Sequence, residues 1–478
     1  MAESDIERLR DAIDHAWEEA RKFGLDPFPT HFELVPASIM YEFASYSLPG
    51  RFSHWTHGKA YYRQKMQYDF GLSKIYEMVV NTNPSYAFLM EMNNLLQNTF
   101  VAAHVFGHTD FFKNNAYFQH TSRRMIDKVS IHAERIARYE FDHGKAEVER
   151  FLDAVLAIQE HVDYNLLIRE EKPEKSEERV AKSPGIYDDL WNLDRRERKA
   201  EEERSRRPGR PAKFPEKPEK DVLLFLAQYA PNLEPWQRDI IEIVRTEMLY
   251  FVPQMQTKIM NEGWASIWHS RIMRKLGELG VISDSETIEF AQLHSGVLSP
   301  SPTSLNPYYL GFKIFEDIER RWNNPTQEEQ ERWGRKPGMG LQKIFEVREL
   351  DNDVSFLRNY LTEDLVKDLD LYIYKKEGDE WVITEKNWEK VRDSIVANLN
   401  NFGSPYIVVD NGDYRGNREL YLVHVFEGQE LDLNYAEKTL QHVYLIWGRP
   451  VHLETVYDGK KILLSYDGER NSKSTLEK

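Results

Sequence analysis

The sequence predicts a mainly α-helical N-terminal and central region followed by a C-terminal α+β domain. Three observations carry that prediction. Apolar residues recur at helical spacing through most of the first 350 positions. From about residue 352 the pattern turns to short runs rich in β-branched and aromatic residues, such as PYIVVDN, ELYLVHVF and KKILLSY. Between two helical stretches, residues 170–220 are dense in proline and in charges of both signs, a composition that cannot bury a core. The expected division is a helical region over 1–168, a charged Pro-rich linker or insertion over 169–220, a helical region over 221–350 that completes the first core, and an α+β domain over 351–478.

Taken in order, the first amphipathic segment runs from about residue 3 to 23 and stops at Gly24. SHWTHGKAYYRQKMQYDFG reads as a helix capped by Ser53 and stopped at Gly71. KIYEMVV and YAFLM flank the turn residues NTNPS and predict a strand pair. A helix over about 92–112 follows, then helices over 119–142 and 145–168 separated by Gly144. Within 170–220, the aromatic segment IYDDLW has the composition of a piece that docks. Pro253 should kink or break the long helical stretch beginning at EPWQRDII. SDSETIEFAQLHSG and YYLGFKIFEDIERRW are the next helices. The remainder reads β-β-α-β-β-α-β-β, a small sheet with helices on one face.

Composition narrows the function. With 41% hydrophobic residues the chain can bury a core, and a net charge of −16 argues against a general binder of nucleic acid or anionic membrane. The absence of cysteine removes disulfides, thiolate metal sites and thiol catalysis together. The charged N-terminal helix is not a signal peptide, and no run approaches 18 uninterrupted apolar residues, so no membrane span and a cytoplasmic location are expected. No phosphate-binding loop, dinucleotide fingerprint or G-x-S-x-G elbow occurs.

The chemistry centres on HVFGH at 104–108. Residues four apart share a helix face, so His104 and His108 can turn nitrogens toward one ion. In an H-E-x-x-H zinc helix the second position is the general-base Glu; here it is Val105. NEGWASIWH sets Glu262 and His269 two turns apart on one face, EFAQLHSG brings His294 near a helix end, and NPYYLGF puts Tyr308 and Tyr309 at a helix start. Two His from one helix, a Glu from another, and a His and Tyr nearby make a peptidase-type zinc site. Glu134, beside His132 in SIHAERIARYE, is the competing third ligand. Glu77 in IYEMVV is a strand carboxylate able to stand in for the missing base. Asp110, Asn114 and Asn115 are candidates to orient the imidazoles, and Arg51, His54 and His57 to hold an anion or brace a helix. Gly107 costs about 1 kcal/mol of helix propensity, so something is expected to pack close to it.

This order of features, a strand pair, an HxxxH helix, an EGWA-type helix, then a His and a Tyr, resembles the core of the gluzincin metallopeptidases. The resemblance implies a divergent zincin-like helical core with a small β-hairpin or sheet. It also implies Glu262 as third ligand, with His294 and Tyr308 facing the open coordination position to stabilise an oxyanion. Val105 is the departure and puts hydrolysis by the standard route in question. Longer stretches, among them RFSHWTHGKAYYRQKMQYDFG, AHVFGHTDFFKNN, LHSGV and NPYYLGFKIFEDIE, resemble the stage V sporulation protein R (SpoVR) family over nearly the whole chain. That resemblance implies a link to spore cortex (peptidoglycan) formation, and a serine protein kinase with its companion protein as partners. The expectation is an intracellular protein holding a divalent metal, zinc, with peptide or amide hydrolase activity on a peptide or peptidoglycan-related substrate. The alternative is a non-enzymatic regulator on a degenerate peptidase scaffold, acting with the kinase.

Overall fold

The computed structural model describes residues 3–69, 77–165, 213–300, 304–378 and 380–476. The chain divides into two units, Met1–Lys145 with Leu249–Ser404, and Ala146–Met248 with Pro405–Lys478. In chain order the first unit opens with α1 (Glu3–Lys22), β1 (Thr30–Val35), α2 (Ala37–Tyr46), α3 (Trp55–Asp69), β2 (Glu77–Val80), β3 (Ser85–Met90), α4 (Leu95–Asn114) and α5 (Met125–His143). Helices α6 (Lys145–Leu156), α7 (Val222–Tyr229) and α8 (Pro235–Gln256) follow. The first unit resumes with α9 (Lys258–Glu278), α10 (Asp284–Val297), α11 (Pro307–Asn323), α12 (Gln327–Trp333), α13 (Gly340–Leu350), α14 (Asp353–Tyr360) and α15 (Glu363–Asp368). It ends with the hairpin β4 (Ile373–Glu377) and β5 (Glu380–Glu385), then α16 (Trp388–Leu399).

The core of the first unit is three helices in close contact. Helix α4 starts on a capping box between Asn94 and Gln97 and is buried on nearly every face, its polar Asn98, Thr99, His104, His108, Thr109 and Asp110 included. Helix α9 packs against both α4 and α11. Gly107 is the point of approach to α4: a Cβ there would stand 2.6 Å from the Cα of Ala265. Two residues earlier, and so on the opposite flank of α9, Gly263 meets Gly311 of α11. A Cβ on Gly311 would overlap the carbonyl oxygen of Ile259 and lie 2.8 Å from the Cα of Gly263. The expected close packing at Gly107 is therefore present. Trp264, Trp268, Phe106 and Phe315 fill the space around these contacts.

Two buried carboxylates fix α9. Asp353 caps its first turn, accepting from the N–H groups of Ile259 (2.8 Å) and Met260 (2.9 Å). Burial pushes the Asp353 carboxyl up to about 7 in spite of those two bonds. Asp110 of α4 accepts from the Trp264 indole at 2.8 Å and from the Asp26 N–H at 2.8 Å, with the Arg348 guanidinium 3.5 Å away.

The predicted strand pair forms, with β2 antiparallel to β3. The sequence reading missed a third strand: β1 lies parallel to β3 on its other edge, Thr30 opposite Ser85 and Val35 opposite Met90. The expected break near Pro253 falls at Thr257, whose hydroxyl donates to the Pro253 carbonyl at 2.7 Å before α9 begins. The helix expected over 145–168 stops at Leu156.

The second unit contains a five-stranded sheet of β6 (Ile407–Tyr414), β7 (Glu419–His424), β8 (Val451–Tyr457), β9 (Lys460–Tyr466) and β10 (Asn471–Thr475), in the order β10-β9-β8-β7-β6. Only β7 and β8 run parallel, joined by the crossover helix α17 (Leu433–Trp447). The protein is thus mainly α with a C-terminal α+β unit. The boundary expected at 351 is corrected to 404. Val391 and Val396 of α16 are buried in the first unit's core, with Ile373 and Trp388 packed against it, so the first predicted β-β-α belongs there. The expected linker ends earlier than residue 220, because Glu219 forms a β-bridge with Val409. The rest of it over 166–212, IYDDLW included, lies outside the described residues. Among those described, no helix is long and apolar enough to cross a membrane.

Candidate metal centre

Four side chains converge where α4, α9 and β2 meet. His104 and His108 project from one face of α4, their ring centroids 4.5 Å apart. Glu262, in the second turn of α9, brings Oε2 to 3.6 Å from His104 Nε2 and 3.4 Å from His108 Nε2. Glu77, the first residue of β2, places Oε1 3.7 Å from His104 Nε2. These separations are too long for good hydrogen bonds, and Glu262 Oε2 is buried with no hydrogen-bond partner. A buried, orphaned carboxylate oxygen beside two imidazole nitrogens is the donor set a divalent cation satisfies. Donor atoms of Glu77, His104 and His108 all lie within 4.8 Å of one another, so this triad could hold a metal ion.

The outer atoms of both imidazoles are held. His108 Nδ1 lies 2.9 Å from Asn261 Oδ1, which fixes the proton on Nδ1 and leaves the Nε2 lone pair free. His104 Nδ1 lies 2.7 Å from His269 Nδ1, and His269 Nε2 lies 2.8 Å from His294 Nδ1. If His104 offers Nε2 to an ion, its Nδ1–H donates to His269. His269 then donates from Nε2 to His294, so one choice sets all three tautomers. Outer partners of this kind are worth about 10–100-fold in metal affinity. Asn261→Leu and His269→Phe are each expected to weaken metal binding by that factor, read by competition with a chromophoric chelator. A change below twofold in both would show that the tautomers are not set this way.

The electrostatics follow from burial and proximity. Burial pushes the Glu77 carboxyl up to about 7, against the pull of His104. Burial disfavours charge on His104, but Glu77 and Glu262 outweigh it and raise its pKa. Burial and the neighbouring His104 hold His108 down to about 4. The carboxyl of Glu262 is lowered despite burial, because both histidines face it. The Tyr308 hydroxyl is pushed far up by burial and by the two carboxylates, so it stays protonated. Its ring stacks 6.0 Å from that of His104. A cleft of about 360 Å³ opens on Glu77, His108, Glu262 and Tyr308, with an apolar wall of Val79, Phe112, Phe251 and Met255. A larger hollow of about 600 Å³ borders α1, where Lys22 is paired with Glu18 and Glu19.

The structure brings together His104, His108, Glu262 and Tyr308. His294 stands one ring further out, joined to His104 only through His269 and packed on Phe290 and Phe312. Glu134 is exposed on α5 and takes no part. Asp110, Asn114 and Asn115 do not touch the imidazoles. Asn114 bonds Asp110, and Asn115 bonds the carbonyls of Arg348 and Asp351. His57 is buried against Tyr46 and Phe52 beside His54, bracing the start of α3. Val105 is fully buried in the core and does not line the cleft. The sequence reading did not find Asn261, although an amide directly before the candidate Glu was the available signal.

Comparison with known proteins agrees with this division of the chain. Residues 3–404 match the sequence profile of the family described as "SpoVR like protein", and residues 405–458 match that of the "SpoVR-like C-terminal domain". The two matches meet where the two units part in the C-terminal half. The chain is 32% identical over 463 residues to a protein of Escherichia coli (strain K12) named "Uncharacterized protein YcgB", covering 91% of this chain and 89% of that one. No solved structure matches.

Proposed function

The chain belongs to the SpoVR family, and from its buried cluster of two histidines and two carboxylates we propose that it is a divalent-metal protein, with zinc as the ion, that hydrolyses a peptide or amide bond. The observation that carries this reading is the orphaned Oε2 of Glu262 between the Nε2 atoms of His104 and His108. His104, His108 and Glu262 hold the ion, as the third-ligand position of a zincin-like core would have it. When bound, zinc in such a site polarises a carbonyl and makes water a better nucleophile near neutral pH. Glu77 lines the cleft from the strand side and takes the proton of the attacking water on its carboxylate. The Tyr308 hydroxyl donates to the oxyanion as it develops. His294 acts through His269 by positioning the His104 ring. The family's association with the spore cortex makes a peptidoglycan-related peptide the natural substrate class. A serine protein kinase and its companion protein are the proposed partners.

The test is hydrolysis of a mixture of synthetic peptides by the zinc-loaded full chain, followed by mass spectrometry. General-base catalysis is worth about 10²–10⁴-fold. Glu77→Gln is therefore expected to lose at least 10² of the rate while keeping its zinc. Loss of zinc with the rate would make Glu77 a fourth ligand instead. Val105 in the core favours a second reading, a regulator on a scaffold that has lost its base. That reading gains if the zinc-loaded wild type cleaves none of the peptides while wild type and Glu77→Gln alike bind the kinase or its companion protein.

A further inference from the structure

The cleft carries one feature that the donor set does not use. Lys258, the first residue of α9, lines it and is, among the described residues, the only lysine or arginine that does so. The side chain is exposed, and among the described residues it makes no hydrogen bond or ion pair. It precedes Glu262 by four positions and therefore stands on the same face of α9, with Cβ atoms about 5–6 Å apart. Two carboxylates balance a divalent ion, so Lys258, whose further anionic neighbour is the buried Asp353 under the first turn of α9, is the positive group at the rim of the loaded cleft. The chain as a whole carries −16, so an anionic ligand is drawn here by this local charge and not by the general field.

Resting on the hydrolase reading above, we propose that Lys258 binds the free C-terminal carboxylate of the substrate, so that the site removes a terminal residue from a peptide. The spacing fits a terminus. Consecutive Cα atoms are about 3.8 Å apart, so a carboxylate one residue beyond the scissile bond falls within reach of a lysine one helical turn from the metal-holding Glu262. The neighbouring wall of Val79, Phe112, Phe251 and Met255 then takes the side chain of the departing residue, which should be apolar. An acidic side chain or a phosphate could meet the same ammonium. A main-chain carboxylate fits best because it places the apolar wall beside the departing residue.

A pair of probes tests this without a known substrate. 2-Benzyl-3-mercaptopropanoate offers a thiolate to the metal, a benzyl group to the wall and a carboxylate to Lys258; its carboxamide differs only in the last. Binding to the zinc-loaded full chain is measured by calorimetry for wild type, Lys258→Met and Lys258→Arg. The acid is expected to bind wild type at least tenfold more tightly than the amide. Lys258→Met should shrink that gap below twofold, and Lys258→Arg should keep most of it. A gap below twofold in wild type, a gap that survives Lys258→Met, or a zinc-loaded chain that binds neither probe overturns the anchor and leaves the metal site standing. A chain that takes up no zinc overturns both. O-Phosphoserine and an internal aspartyl peptide, added as competitors, should displace the acid far less well than a peptide with a free terminus; the reverse order overturns the choice of a terminal carboxylate.

Discussion

The full-length chain is expected to take up one equivalent of zinc, and His108→Ala or Glu262→Ala to abolish stoichiometric uptake. Elemental analysis of the purified protein reads this directly. The loss should exceed the about 10–100-fold that an outer partner such as Asn261 commands, because a direct ligand is removed. Stability should follow. A ligand present at about a thousand times its dissociation constant stabilises the folded state by roughly 4 kcal/mol. Chelation should therefore lower the first thermal transition, and zinc should restore it. The sign comes from the cluster itself: without a cation, Glu77 and Glu262 face the same buried space, and among the described residues no lysine or arginine is ion-paired to either. Glu262→Gln separates charge from shape, since it keeps the volume while removing the anionic oxygen. A protein that holds no zinc, and whose melting is indifferent to both chelator and Glu262→Gln, would end the metal reading.

Gly311→Ala is expected to be among the most damaging conservative substitutions in the chain. In an exposed helix this change gains about 1 kcal/mol of propensity. Here the new methyl would overlap the Ile259 carbonyl and press on Gly263, both backbone, so no side chain can turn away. Overpacking of this kind costs about 1–3 kcal/mol and sometimes more. Relief requires α11 to move off α9, and that carries Tyr308 away from Glu262. Two readouts should change together: urea denaturation of the first unit and zinc affinity. A variant as stable as wild type with unchanged affinity would mean the helices have slack that the contact distances deny. Leu305→Ala, on an exposed apolar side chain just before α11, serves as the neutral control.

These two expectations show what the sequence revealed and what it concealed. The shared face of His104 and His108 follows from a spacing of four, and local caps such as Ser283 with Glu286 mark helix starts unaided. Glu262 was legible as a carboxylate in an apolar stretch. The link from His104 to His269 was not, because it depends on how α9 is rotated against α4, and the contact of Gly107 with Ala265 sets that rotation. Strand β1 escaped for a related reason. THFELV pairs with a strand some 50 residues away, and periodicity within a short window carries no trace of that partner. The boundary at 404 was hidden because β4, β5 and α16 look like the beginning of the later α+β pattern, while Ile373 of β4 and the apolar face of α16 complete the earlier core.

The pairing of Gly107 and Gly311 with one helix has a consequence for the newborn chain. Gly107 precedes its neighbour Ala265 by about 160 residues, with α5 to α8 made in between. At a synthesis rate of about 5–20 residues per second, α4 leaves the ribosome roughly 8–30 seconds before α9, the helix that covers it. Throughout that interval the side of α4 that α9 covers stays open, and His104 and His108 have no carboxylate from α9. The order of synthesis therefore lets α4 pack first on α1 and β3, which precede it, and completes the metal centre only when α9 arrives.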